Sequence, residues 1–351
     1  VSPDSGEHWS AEGAWRVADG ISRIPLPLPL DGLRAVNVYV LETDDGLVLI
    51  DGGWAIEAAR TVLERSLRQL GAGFKDIRAF LVTHAHRDHY TLAAVLSDET
   101  GAQLALGADE KPSLDLLRAG DGSGHEAILQ GLINAGAGAL VQGWRAHQGE
   151  PHDPAMWRYP DTWLEGDHTI AVGARTLDAV HTPGHTPGHF VFADTTEQVL
   201  FAGDHVLPTI TPSIGFTAPQ PVDPLGDFMA SLTKVRSLPD LRLLPAHGPV
   251  APSSHARVDE LLAHHEHRLA LSLAALDHGP VTGFEVAHEL GWTRHERSFD
   301  ELDVFNQGLA AQETKAHLEL LVARGVATRD ETPDGVVFSH VAQGAPSPEL
   351  P

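Results

Sequence analysis

At 351 residues, 42 % of them hydrophobic, the chain is long enough for a sizeable core and for one or two domains. It contains no cysteine, which excludes disulfides, thiolate metal ligands and a cysteine nucleophile. Its 24 basic and 48 acidic residues give a formal net charge of −24, a poor match for nucleic acid or for strongly anionic substrates in the absence of a local basic patch.

Residues 1–13 are polar and read as loose. Val36 to Ile50 reads as two strands joined at Asp44-Asp45-Gly46, a strong hairpin signal. Ile56, Ala59, Leu63, Leu67 and Leu70 recur at helical spacing and stop at Gly71, a good C-terminal cap. The apolar run Ala79-Phe80-Leu81-Val82 predicts a strand ending at His84, and Leu92, Val95 and Leu96 predict a helix after it. With more strands between Thr169 and Phe201, the alternation predicts an α/β domain of two sheets sandwiched between helices.

Residues 108–166 depart from this compact pattern. Leu114, Leu117, Ile128, Leu132 and Ile133 predict two helices, broken at Gly136 and Gly138. Trp144, Trp157, Tyr159 and Trp163 follow on a polar, Pro-containing stretch, where they either wall a binding pocket as a lid or pin an insertion to the body. The Pro-rich loop 208–224, with Ile214 and Phe216, is a second candidate wall. A further unit is predicted over 253–341. Val258, Leu262, His265, Leu269, Leu273 and Leu276 trace one helix face, 284–290 forms a short helix, and 305–323 a third capped by Gly325. A hairpin around Pro333-Asp334-Gly335 closes the unit. His264, His265 and His267 admit a metal reading, but a solvated helix face with one semi-buried His is the heavier one.

Two segments carry the chemistry. Thr83-His84-Ala85-His86-Arg87-Asp88-His89 packs three imidazoles and a carboxylate into six residues at a strand end. His181-Thr182-Pro183-Gly184-His185-Thr186-Pro187-Gly188-His189 adds three more imidazoles. Ionisable groups so clustered are costly to desolvate unless they bind something, and imidazole with carboxylate suits zinc and its first-row neighbours. Asp204 follows the apolar run Leu200 to Gly203, and His247 follows Leu243 to Ala246, so both also stand at strand ends.

The series His84-x-His86-x-Asp88-His89, then His185, Asp204 and His247, resembles the metal motifs of the metallo-β-lactamase-fold hydrolases, in the dinuclear branch typified by glyoxalase II and lactonases. The resemblance runs from about Trp15 to Pro252 and implies a four-layer αββα sandwich over 14–252. Seven ligands are too many for one tetrahedral zinc and suit two metals sharing a carboxylate and a water. By resemblance, His84, His86 and His185 hold one ion, Asp88, His89 and His247 the other, and Asp204 bridges. Two zinc ions are the expected cofactors, with iron or manganese as alternatives, and a bridging hydroxide is the expected nucleophile, oriented by Asp88 as catalytic residue. Asp51, at the end of Leu47-Val48-Leu49-Ile50, corresponds to a residue that braces a ligand imidazole from behind; a plain turn before Gly52-Gly53 is the alternative. His181 and His189 read as neighbours of the ligand His185. Tyr90, His205 and Trp157 are candidate substrate contacts, with ordinary packing the heavier reading for Tyr90 and His205.

The C-terminal unit resembles a winged helix, similar to that of hydrolases related to the mammalian mitochondrial endoribonuclease branch. From His255 to His340 it carries seven Lys or Arg against fifteen Asp or Glu, the wrong sign for phosphate contact. It is expected instead to pack over the active-site edge or to form a homodimer. The leading expectation is hydrolysis of an ester, thioester or lactone of a small molecule, with no nucleic-acid or membrane partner. The alternatives are an RNA-cleaving phosphodiesterase and a mononuclear-iron oxidoreductase on the same fold. No basic stretch with an apolar core opens the chain and no run approaches a membrane span, so a soluble cytoplasmic protein is expected, the initial Val indicating a trimmed or replaced start.

Overall fold

The computed structural model describes residues 6–29, 32–146, 153–293 and 296–341. Residues 1–5 of the segment expected to be loose lie outside them; 6–10 form a short 3₁₀ turn. By packing, the chain divides into two compact units: Val1–Ser123, His152–Pro212 and Asp227–Leu261 in one, Gly124–Pro151, Ser213–Gly226 and Leu262–Pro351 in the other. Residues 124–146 of the expected insertion and the loop 213–226 thus group with the C-terminal helices.

The first unit carries two sheets. One runs β1 (Trp15–Ala18), β2 (Ile21–Pro27), β3 (Ala35–Thr43), β4 (Gly46–Ile50), β5 (Ile77–Leu81), β6 (Gln103–Gly107) and β7 (Thr162–Leu164) in spatial as in chain order. Its first four strands are antiparallel, as short turns allow, and β4 to β7 are parallel. The crossovers are α1 (Glu57–Gln69), α2 (Arg87–Thr100) and the segment holding α3 (Lys111–Ala119), α4 (Ser123–Asn134) and α5 (Val141–Ala146). The second sheet has the order β12-β11-β10-β9-β8, from β8 (His168–Val172), β9 (Arg175–His181), β10 (Phe190–Asp194), β11 (Val199–Gly203) and β12 (Arg242–Pro245), with α6 (Pro224–Ser237) crossing before β12.

Strands β3, β10 and β11 are buried on both faces, which explains their largely apolar sequences. Between the sheets lie Tyr39, Leu41, Val48 and Leu81 of the first and Leu177, Phe190, Phe192, Phe201 and Leu244 of the second. The far face of the first sheet packs Val38, Leu49 and Phe80 against Leu63 and Leu67 of α1 and Leu92 and Leu96 of α2. A fully buried Phe such as Phe201 contributes about 1.5–3 kcal/mol.

The second unit contains most of α7 (Ser254–Ala275), α8 (Gly283–Glu289) and α9 (Val304–Ala323), with a three-stranded sheet of β13 (Val281–Thr282), β14 (Ala327–Thr332) and β15 (Gly335–His340) in the order β13-β15-β14. Trp144 lies 4.8 Å from the ring of Phe305 and 5.5 Å from that of Phe216, within an apolar cluster formed with Leu129, Leu132 and Ala311. Trp144 and Phe216 therefore serve as packing residues of this unit. Among the described residues no helix is long and apolar enough to cross a membrane.

Candidate metal centre

The parallel strands β4 and β5 end side by side, and β11 and β12 do the same in the other sheet. The loops that leave these ends carry the titratable residues. Asp51 follows β4 with φ +61°, a left-handed conformation that Asp tolerates better than bulkier residues do. His84 follows β5, and His86 sits at the N-cap of α2, so Asp88 falls in its first turn, where the helix N-terminus favours a carboxylate. His185 comes from the β9–β10 connection, Asp204 follows β11, and His247 follows β12. Gly203 makes the turn into Asp204 at φ +50°, and a Cβ there would lie 2.6 Å from His189 Nε2.

All seven expected ligands converge, in two sets. One atom from each of His84, His86, His185 and Asp204 lies within 4.8 Å of the others, and Asp88, His89 and His247 form a second such group. Asp204 faces both. Its Oδ2 is 3.5 Å from His185 Nε2 and 4.0 Å from His84 Nε2, while its Oδ1 is 3.4 Å from His247 Nε2 and 3.7 Å from His89 Nε2. His86 Nδ1 stands 2.9 Å from His84 Nε2 and 3.1 Å from His185 Nε2. Three ring nitrogens cannot all satisfy one another at that spacing, and a cation resolves the clash of lone pairs. His89 Nε2, His247 Nε2 and Asp204 Oδ1 are buried without a hydrogen-bond partner, a cost that metal bonds would remove.

Behind the ligands, the opposite ring nitrogens are held. Asp51 Oδ2 accepts a hydrogen bond from His89 Nδ1 at 2.9 Å, and its Oδ1 accepts from the Thr83 amide at 2.8 Å. The Thr83 hydroxyl is 3.0 Å from Asp51 Oδ1 and 3.0 Å from His84 Nδ1, so it donates to the carboxylate and accepts from the imidazole. His247 Nδ1 donates to the Ala35 carbonyl at 2.9 Å. These bonds assign the proton to Nδ1 in His84, His89 and His247 and turn the Nε2 lone pair inward, as metal-bound imidazole requires. Asp51 thus does more than form a turn.

The charges agree. Burial works against charging His89, yet Asp88, Asp51 and Asp204 overcome it and push His89 up to about 10. Burial likewise opposes His247, which Asp204 and Asp88 push up to about 8. Burial alone would raise Asp88, but His89 and His247 hold it well below the usual carboxylate range. Burial and then His185 bring His86 down to about 3. Three carboxylates around buried imidazoles create a field that favours a cation, and imidazole must be neutral to coordinate one.

His189 stacks on His84 at 5.0 Å, accepts from the Asp204 amide through Nε2 at 3.2 Å and meets the Thr182 hydroxyl through Nδ1 at 3.0 Å. His181 Nε2 bonds the Pro187 carbonyl at 2.9 Å. Both flank His185 without joining the cluster. The substrate contacts expected at Tyr90, His205 and Trp157 are corrected by burial: their exposures are 0 %, 0 % and 5 %. Tyr90 donates to the Arg158 carbonyl at 2.6 Å and stacks on Trp157, while His205 sits edge-on to Phe228, so packing claims all three.

Two supports escaped the sequence reading. Asn37 Nδ2 donates to the carbonyls of Pro245 and Gly248, both at 2.9 Å, and so fixes the loop of His247. Glu110, buried just beyond β6, accepts from the Thr186 hydroxyl, from the Gly188 amide at 3.2 Å and from the Ala85 amide. It ties the loop of His84 and His86 to that of His185. Burial pushes Glu110 up to about 7, against these three donors. An acidic residue just past an apolar strand was its only sequence signal. Glu110→Ala is expected to weaken metal binding by about 10- to 100-fold, the scale for losing an outer support. Chelator competition checks this, and unchanged affinity would count against the role.

The profile of the metallo-beta-lactamase superfamily matches residues 31–247. This chain belongs to that superfamily. It is 27 % identical over 281 residues to the beta-lactamase-like protein 2 homolog of Caenorhabditis elegans, covering 78 % of this chain and 77 % of that protein. The probable metallo-hydrolase YqjP of Bacillus subtilis is 23 % identical over 325 residues, 87 % of this chain and 92 % of that one. A crystal structure of a metallo-beta-lactamase family protein from Thermus thermophilus superposes with a TM-score of 0.74 at 30 % identity, covering 92 % of this chain and 99 % of that one. Superfamily membership and the His/Asp cluster together make the chain a metal-binding hydrolase with the metallo-beta-lactamase fold.

Proposed function

We propose that this hydrolase cleaves an ester, thioester or lactone of a small molecule, using two zinc-class ions bridged by Asp204. The observation that carries the reading is the split of the Asp204 carboxylate, one oxygen toward His84 and His185, the other toward His89 and His247. Imidazole and carboxylate without thiolate suit zinc, with iron or manganese as competitors. Such ions, when bound, lower the pKa of water to about 7 and polarise a carbonyl. Asp88 keeps 16 % of its side chain exposed, against 3 % for His247, which supports it as the acceptor of a hydrogen bond from an attacking water on the open side. Asp51, Thr83 and Ala35 hold the ligand rings against rotation. The acidic surface favours a neutral or weakly charged substrate.

The C-terminal helices and the β14–β15 hairpin support a winged-helix-like reading of the second unit, but its charges oppose nucleic acid. Lys315 and Arg329 both pair with Glu319, at 3.0 and 3.4 Å, and Arg324 pairs with Glu266 at 2.7 Å. Purified protein is expected to carry two transition-metal ions per chain and to turn over members of an ester, thioester, lactone and β-lactam panel. One tightly bound iron with no second site on titration would overturn the dinuclear reading. Salt-sensitive cleavage of RNA oligomers, with no carbonyl substrate turned over, would replace it with the phosphodiesterase.

A further inference from the structure

We infer that the second unit holds another divalent-cation site, built from His264 and His265 of α7 and Glu313 of α9. One ligand atom from each of these side chains lies within 4.8 Å of the other two. None of the three takes part in the Asp204 centre.

The hydrogen bonds behind His265 have the order that a metal-bound imidazole needs. His317 Nδ1 lies 2.8 Å from the Glu313 carbonyl oxygen, which can only accept, so Nδ1 carries the ring proton. His317 is fully buried, and with the proton on Nδ1 its neutral ring presents Nε2 as an acceptor. That Nε2 lies 3.2 Å from His265 Nδ1, which must therefore donate. In a neutral His265, also fully buried, the relay leaves the lone pair on Nε2. A ring nitrogen that donates backwards while its opposite lone pair is fixed in direction is the outer-shell pattern of metal-ligating histidines.

Glu313 supplies the charge. Arg268 is the cation whose charge acts on this carboxylate. Arg268 is itself committed elsewhere, donating to the Gly291 carbonyl at 2.8 Å with its guanidinium 4.3 Å from the Trp292 ring. This half-buried carboxylate is stabilised by a cation that two imidazoles can share with it. His264 is exposed and gives such an ion a route from solvent, where water completes the tetrahedron. Two nitrogens and one carboxylate oxygen select zinc, cobalt or nickel over magnesium or calcium. An ion here would cross-link α7 to α9 and stabilise the folded unit by mass action.

The test uses the full chain, stripped with chelator and equilibrated with zinc buffered at low micromolar free concentration. His264→Ala, at an exposed position, and Glu313→Gln are each expected to bind one zinc fewer per chain than the unaltered protein. Hydrolytic activity should not change, and the rise of the melting temperature with zinc should shrink in both variants. The comparison is a difference, so it holds whatever number of ions the Asp204 centre takes. If Glu313→Gln does not fold, His264→Ala decides alone. Equal zinc content in the unaltered protein and the variants would overturn the site, as would a difference that appears only at millimolar zinc.

Discussion

Replacing Asp88 by alanine is expected to cut turnover by about a thousandfold or more, close to 4 kcal/mol of barrier, while leaving the fold in place. Asp88 Oδ2 lies 3.4 Å from His247 Nε2 and 3.7 Å from His89 Nε2, and its side chain keeps an exposed edge. On the proposed reading, the substitution removes a metal ligand and the acceptor that aims the attacking water. Its structural cost is small. Helix α2 is anchored by His89, Tyr90, Leu92, Ala93, Ala94 and Leu96, all buried, and the Asp88 side chain contributes no apolar contact to that face. Activity of the metal-loaded variant, measured beside its circular dichroism, decides the matter. Near-normal turnover in a fully loaded Asp88→Ala protein would remove Asp88 from the mechanism.

Asp204→Ala should do still more, because its one carboxylate faces both residue sets. The variant is expected to lose at least one ion per chain and to turn over at least about a thousandfold more slowly. Loss of this negative group should also lower the pKa of His247, since Asp204 is the largest influence raising it toward about 8. Imidazole titration by NMR in chelator-treated protein reads that change directly. The backbone turn should survive, because Gly203 sets it and the Asp204 amide still donates to His189 Nε2. A variant with full metal content and an unmoved His247 titration would show that Asp204 does not bridge.

These expectations depend on distances between residues far apart in the chain, which marks the limit of sequence reading. His84, His86, Asp88 and His89 were legible as one cluster because a strand end and a helix start crowd them into six residues. The hairpin at Asp44-Asp45-Gly46, the helix that stops before Gly71 and the order of the C-terminal elements were legible for the same reason, since turn chemistry and periodicity are local. Tyr90 and His205 stand one residue beyond ligands, and sequence adjacency left substrate contact open to them. Burial closed it, because a side chain one position along a helix or turn points to a different face.

Glu110 shows the converse. Nothing local distinguishes it from Asp109, its neighbour, yet it is the residue turned inward to the amides of the ligand loops. By itself the sequence determined the family, the sandwich and the kind of chemistry, because strand-end motifs of imidazole and carboxylate have few other uses. Only the tertiary structure decided which oxygen of Asp204 faces which imidazoles, which ring nitrogens carry protons, and that residues 124–146 pack with the C-terminal helices. Those outcomes depend on how separate strands and helices close upon one another, and no local pattern encodes such contacts.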